Sequence, residues 1–164
     1  MNQQETVNCA IALGSNLGDS QQTLEQAVAK LENVSEIAIE AVSSWYETLP
    51  IGPTQPNYIN GCAALTTSLT PEDLLDTLLK IETQFGRVRA ERWGARTLDL
   101  DLILYDDLIL ETPNLQIPHP RLRERAFVLV PLAEIVPHWI DPITQSAIAQ
   151  LKNKIDCSSI LQKL

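Results

Sequence analysis

Two helix-period apolar stripes, each bracketed by strand-length apolar runs, set the strongest limit on the fold. Leu24, Ala27, Val28 and Leu31 recur at i, i+3, i+4 and i+7, and Leu74, Leu75, Leu78, Leu79, Ile81 and Phe85 form a second stripe of the same period. Asp19, followed three residues later by Gln22, reads as the N-cap of the first helix. Thr70-Pro71 supplies an N-cap and a first-turn proline for the second, and Gly86 its C-cap. Around them, Val7 to Leu13, Glu36 to Tyr46, Tyr58 to Ser68 and Leu98 to Tyr105 read as strands. Gly14-Ser15-Asn16-Leu17-Gly18 reads as the turn after the first strand, and the proline-rich Thr48 to Asn57 as an irregular loop. The order strand-helix-strand-strand-helix-strand predicts an α+β, ferredoxin-like sheet with covering helices. Further on, Leu108 to Leu110 suggests a short strand, Pro118-His119-Pro120 a rigid kink, and Phe127 to Ile135 and Ala147 to Leu151 helical turns.

The last of the four strands carries the chemistry. Within Leu98 to Tyr105, alternation places Asp99 and Asp101 on one face, their Cα atoms roughly 7 Å apart, with Leu98, Leu100 and Leu102 on the other. Ile103 and Tyr105 continue the acidic face as apolar residues, so the acids occupy one end of an otherwise buried strand. Two like charges there repel each other and are costly to desolvate. A divalent cation relieves both penalties, and hard oxygen donors without nearby Cys or His favour magnesium. Directly before them stand Arg87, Arg89, Arg92 and Arg96, in a chain of net charge −9 with 12 Lys and Arg in all. Carboxylates suited to a metal, beside guanidinium forks, suit a polyphosphate.

Composition narrows the alternatives. At 164 residues, one domain with a sizeable core is expected, and the acidic balance argues against a general nucleic-acid binder. The longest apolar stretch, Ala126 to Val136, is interrupted by Pro131 and Glu134 and is too short to cross a bilayer. Met1 to Thr6 is polar, unlike a signal peptide. Cys9, Cys62 and Cys157 are odd in number and widely spaced, which points to reduced thiols and a cytoplasmic protein. From the acidic balance and the short apolar runs, no nucleic-acid or membrane partner is expected.

Arg92-Trp93-Gly94-Ala95-Arg96-Thr97-Leu98-Asp99-Leu100-Asp101-Leu102-Ile103, with Gly14-Ser15-Asn16-Leu17-Gly18 upstream and Pro118-His119-Pro120-Arg121 downstream, resembles the signature of the 6-hydroxymethyl-7,8-dihydropterin pyrophosphokinases of folate biosynthesis. The likeness spans a core at 7–142 of a single domain 1–164, leaving a tail at 143–164 to which it assigns no role. The resemblance implies transfer of the β,γ-diphosphate of ATP to the hydroxymethyl group of a reduced pterin, with release of AMP. It implies that Asp99 and Asp101 hold two Mg2+ ions and that Arg87 and Arg96 contact the triphosphate. His119, Arg121 and Arg125 are implied on the nucleotide side. Tyr58 and Phe127 are implied to stack the pterin, Asn60 to read it, Thr48 and Ile51 to border it and Trp93 to close over it. A monomer binding ATP and the pterin is expected.

Physical chemistry favours the same roles. A flat heteroaromatic wants an aromatic sandwich and an amide that both donates and accepts. Diphosphoryl transfer needs in-line positioning and charge neutralisation more than covalent help. Two rivals remain at this point. A nucleotidyltransferase also joins a Gly-Ser turn to Asp-x-Asp, but usually close in sequence, whereas Ser15 and Asp99 are far apart; its product is pyrophosphate rather than AMP. A ferredoxin-like binding module would leave the arginines and acids without a task. Glu82, on the second helix, reads as a surface charge or a partner for a loop arginine.

Overall fold

The computed structural model describes residues 5–51, 54–86 and 97–164. Strand β1 (Val7–Ser15) leads into helix α1 (Ser20–Glu32), followed by β2 (Ile37–Val42), β3 (Tyr46–Thr48), β4 (Tyr58–Thr67), helix α2 (Pro71–Gln84) and β5 (Asp99–Tyr105). A small ladder of β6 (Leu110–Glu111) and β7 (Gln116–Ile117), then helices α3 (Ala126–Ile135) and α4 (Ile148–Asn153) and strand β8 (Ile160–Lys163), complete the described chain. The main sheet runs β5-β1-β4-β3-β8, with β2 also paired to β4, and every ladder is antiparallel. It is a mixed α/β architecture in which helices cover both faces of an antiparallel sheet.

Helices α1 and α2 begin where their capping chemistry dictates. The Asp19 carboxylate accepts from the Gln22 backbone N–H at 3.2 Å, and the Thr70 hydroxyl from that of Asp73 at 3.1 Å. Gly86 takes φ +76°, the left-handed turn that ends a helix and that β-carbons disfavour. The expected stripes then go inward. Leu24, Ala27 and Leu31 of α1 and Leu74, Leu78 and Ile81 of α2 pack on Cys9, Ile11, Leu13, Ala63 and Leu65 from one sheet face. Each fully buried leucine contributes roughly 1.5–3 kcal/mol of transfer free energy.

On the other face, Val128, Leu129 and Leu132 of α3, and Ile148 and Leu151 of α4, cover Ala10, Cys62, Ala64 and Ile103. The small residues Ala10, Cys62 and Ala64 let α3 lie close to the sheet. The cysteines are packing residues: burial pushes the Cys9 thiol up to about 12, and the Cys62 thiol well above its ordinary value.

Three expectations need correcting. The strand expected over Glu36 to Tyr46 is two, β2 and β3. At the break Ser43 exchanges backbone and hydroxyl bonds with Cys62, both at 2.9 Å, and Trp45 turns into the core. Trp45 lies over Gly61, where a Cβ would meet its ring at 2.4 Å. Second, Tyr105 does not share the acidic face. Ala10 pairs Leu104 and Ile11 pairs Leu102, so Ile103 is the extra residue of a β-bulge that reverses the facing beyond it. Tyr105 packs on the α1/α2 side and its hydroxyl donates to the Leu69 carbonyl at 2.6 Å. Third, Glu82 is 2% exposed rather than a surface charge.

The segment after Pro142 is also ordered into the fold. Ile148 and Leu151 are core residues, and β8 adds a strand beside β3, pairing Tyr46 with Lys163, Glu47 with Gln162 and Thr48 with Ile160.

Candidate active site

Strand β1 holds the centre of the site. Its residue Gly14 is the register partner of Asn60 on β4 and of Asp99 on β5, and Ala12 likewise faces Asp101. Cross-strand partners share a face, so Asn60, Gly14 and Asp99 form one row across three strands. At the usual strand spacing, Asn60 and Asp99 stand roughly 10 Å apart. Tyr58 and Asp101 lie on the same face by alternation, and Thr48 joins it as the partner of Tyr58. The row lies on the face that α3 covers further along the strands.

Asn60 and Thr48 are both buried, and the Asn60 Nδ2 donates to the Thr48 hydroxyl oxygen at 2.6 Å. Asp99 and Asp101 are half-buried, before the bulge. Their strand is anchored from behind by Glu82, whose Oε2 accepts the Leu100 backbone N–H at 2.7 Å. The residue between the two acids is thereby fixed by a third, buried carboxylate. Periodicity held a signal for it: Glu82 falls four residues after Leu78, on the apolar stripe rather than off it.

Arg125, at the N-cap of α3, links the two halves. Its guanidinium carbon stands 5.3 Å from the centroid of the Phe127 ring, within cation–π range. Its Nε is buried without a hydrogen-bond partner. Burial pushes its pKa down, while the charges of Asp101, Glu124 and Asp99 draw it back up and Arg121 adds to the fall. A half-buried guanidinium within the electrostatic influence of two carboxylates, with its Nε donor unspent, is a ready anion contact.

His119 lines a cavity of about 280 Å3 beside β5, together with Asp101, Leu75, Leu102 and Leu115. Its backbone N–H donates to the Ile103 carbonyl at 3.0 Å, and its Nδ1 accepts the Arg121 N–H at 3.2 Å. Burial, then the charges of Arg125 and Arg121, lower its pKa to about 4, so the ring is neutral at physiological pH. Arg121 is exposed at the rim.

The structure thus brings Thr48, Tyr58, Asn60, Asp99 and Asp101 to one sheet face, sets Arg125 beside Phe127, and puts His119 in a cavity shared with Asp101. Ile51 is exposed, outside this cluster. Arg87, Trp93 and Arg96 lie outside the described residues. Residue spacing gave no hint of the Arg123–Asp141 pair, which fixes the turn carrying Arg121 and Arg125. Arg123 donates to Asp141 through Nε at 2.6 Å and Nη2 at 2.9 Å.

Comparison with known proteins bears on the same stretch of chain. The family described as 7,8-dihydro-6-hydroxymethylpterin-pyrophosphokinase matches residues 10–137, which include every described residue of this cluster. The chain belongs to that family. Among relatives of this pyrophosphokinase family, a 2-amino-4-hydroxy-6-hydroxymethyldihydropteridine pyrophosphokinase of Synechocystis is 50% identical over 157 residues, covering 96% of this chain and 80% of its own. The enzyme of that name from Pseudomonas aeruginosa is 48% identical over 128 residues, 77% of this chain and 79% of its own. The fold is also that of a Plasmodium falciparum HPPK-DHPS crystal structure with pteroate, at a TM-score of 0.75 and 14% identity. That match takes in 94% of this chain and 43% of the Plasmodium chain, so the chain spans less than half of that longer protein.

Proposed function

We propose that this chain transfers diphosphate from ATP to 6-hydroxymethyl-7,8-dihydropterin, giving the pterin diphosphate and AMP, a step of folate biosynthesis. One observation carries the reading at the level of residues: Asn60 and Asp99 are the two register partners of Gly14. A heterocycle read by the buried amide therefore holds its hydroxymethyl group within one small-molecule length of the paired acids. Such closeness turns a bimolecular step into one of positioning.

In this reading Tyr58 and Phe127 offer π faces to the pterin, Asn60 and Thr48 meet its polar edge, and Ile51 and Trp93 border it. Arg125 and the loop arginines Arg87 and Arg96 meet phosphate oxygens, and Arg121 and His119 lie toward the nucleotide. The cavity beside Asp101 and His119 offers apolar contact from Leu75, Leu102 and Leu115, with Thr112, Asn114 and Gln116 as polar neighbours, a mixture suited to a base. A neutral His119 accepts or donates a hydrogen bond there without adding charge. Arg125, fixed by its stack on Phe127, neutralises charge accumulating near Asp99 and Asp101.

The donor set fits magnesium: two carboxylates on one face, half-exposed, with no His or Cys beside them in that row, leave positions for water and phosphate oxygens. Asp99 and Asp101 would hold two such ions, which when bound would supply Lewis-acid charge for the attacked phosphorus and the attacking hydroxyl. The strand order also supports a ferredoxin-like core, since β5-β1-β4 with β2 on β4 arises from two β-α-β halves. A single domain over 1–164, acting as a cytoplasmic monomer without nucleic-acid or membrane partners, completes the proposal. No helix among the described residues is long and apolar enough to cross a membrane.

The test is a mixed incubation of protein, ATP, Mg2+ and the reduced pterin, with nucleotide products separated. AMP formed in step with pterin diphosphate is expected. Release of pyrophosphate with a nucleotidylated product would assign the site to a nucleotidyltransferase instead.

A further inference from the structure

Gly14 is a strand residue with no conformational need to be glycine. Its φ is not among the positive ones, and glycine inside a strand costs roughly 0.5–1 kcal/mol relative to alanine. What it provides is space. A Cβ there would stand 2.6 Å from the Asn60 Oδ1 and 3.5 Å from the Tyr58 Cδ1. The first separation is far inside contact distance, so the amide would have to move. Asn60 is not free to do so, because it is 7% exposed and its Nδ2 is held 2.6 Å from the Thr48 Oγ1. The amide is clamped at its nitrogen by a hydroxyl on β3, and its oxygen lies in the hollow where Gly14 lacks a side chain. Gly61 has a different reason for being glycine: the Trp45 ring fills its space, on the core side of the same sheet.

We infer that Gly14 is a positioning residue for the pterin, acting through Asn60. An asparagine amide turned through 180° exchanges donor and acceptor, and so pairs with a heterocycle edge of the reverse order. Here the amide donates to Thr48 with its oxygen over the bare Gly14 Cα, and a Cβ at residue 14 would push it out of that position. Held there, the amide presents its second N–H and its carbonyl at one place on the sheet face, within reach of a ring edge that offers an acceptor beside a donor. This role rests on the assignment of Asn60 to the pterin pocket.

A double-mutant cycle tests it in the full-length protein. The 6-hydroxymethyl-7,8-dihydropterin affinity is titrated in the presence of Mg2+ and α,β-methylene-ATP, and the affinity for that analogue is titrated separately. Gly14→Ala is expected to weaken pterin binding about tenfold or more while analogue affinity stays within about twofold. Asn60→Ala weakens the pterin as well. In the Asn60→Ala background, Gly14→Ala is expected to cost little more, because the group it displaces is gone.

Retained pterin affinity in Gly14→Ala, an equal loss of both ligands, or the same cost in the two backgrounds would overturn the inference while leaving the pocket assignment intact. Full pterin affinity in Asn60→Ala would instead remove the pocket assignment, and the inference with it. Should Gly14→Ala alone fail to fold, Thr48→Val decides. It frees the amide without adding bulk, and unchanged pterin affinity there refutes the clamp.

Discussion

Replacing Asp141 with alanine is the most direct probe of how the arginine-bearing turn is held. Asp141 is completely buried, and its carboxylate accepts from Arg123 twice, from the Ile143 backbone N–H at 3.0 Å and from the Thr144 hydroxyl at 2.8 Å. Burial pushes its pKa up, but Arg123, Ile143 and Thr144 together hold it below the ordinary 3.8. The bidentate pair is worth about 1.5–3 kcal/mol and each of the two neutral donors about 1 kcal/mol, giving a sum of about 3.5–5 kcal/mol. The Arg123 side chain is 27% exposed and recovers some hydration when abandoned, so we expect about 3–4 kcal/mol. In a chain of this size that is a Tm fall of roughly 10 °C. Urea unfolding should show a lower midpoint at unchanged slope, and Asp141→Asn, which keeps polar contacts without the charge, should fall between. The folded-state pKa is depressed, so the contribution is full above pH 3.8 and fades only as acid protonates the folded carboxyl. The deficit should therefore be constant from pH 5 to 8. Because Arg123 lies between Arg121 and Arg125, the KM for ATP should rise as well. A loss below about 1 kcal/mol would refute the reasoning.

Asp101→Ala is expected to abolish most turnover while leaving pterin binding largely intact, as followed by AMP formation and by pterin titration; near-normal rates would contradict the metal assignment. Glu82→Ala strands the buried Leu100 N–H and should cost about 1–3 kcal/mol in urea unfolding; a cost within error would show that Leu100 finds another partner. His119, with a folded pKa of about 4 against an ordinary 6.5, contributes stability that is full above pH 6.5 and is lost as pH falls toward 4. Relative to His119→Gln, the wild type should lose up to about 2 kcal/mol between pH 7 and 4.5; parallel pH profiles would be inconsistent with a buried neutral ring.

Much of this was legible because local rules and the tertiary fold agree. The caps at Asp19 and Thr70, the two stripes and the left-handed Gly86 are all written within a few residues of where they act. What escaped depends on partners distant in the chain. The bulge at Ile103 is set by the register of β1 against β5, and nothing within Leu98 to Tyr105 announces that Tyr105 changes face. The break at Ser43 follows from Trp45 needing the space over Gly61, 16 positions later. Strand β8 is short and mostly exposed, and becomes a strand only because β3 offers an edge. For the site, Asp99 and Asp101 were readable as a pair from alternation alone. Their relation to Asn60 passes through Gly14, and that adjacency is visible only in the assembled sheet.

The carboxylate behind Leu100 has a consequence beyond anchoring. Among the described strands, β5 has only one ladder neighbour, β1, and a strand open on one side invites another chain to add to it. Glu82 occupies one of the N–H positions that an incoming strand would need, and puts a charged residue where a stranger's carbonyl would have to sit. The same contact that steadies the acids thereby discourages fibrous self-association along that edge.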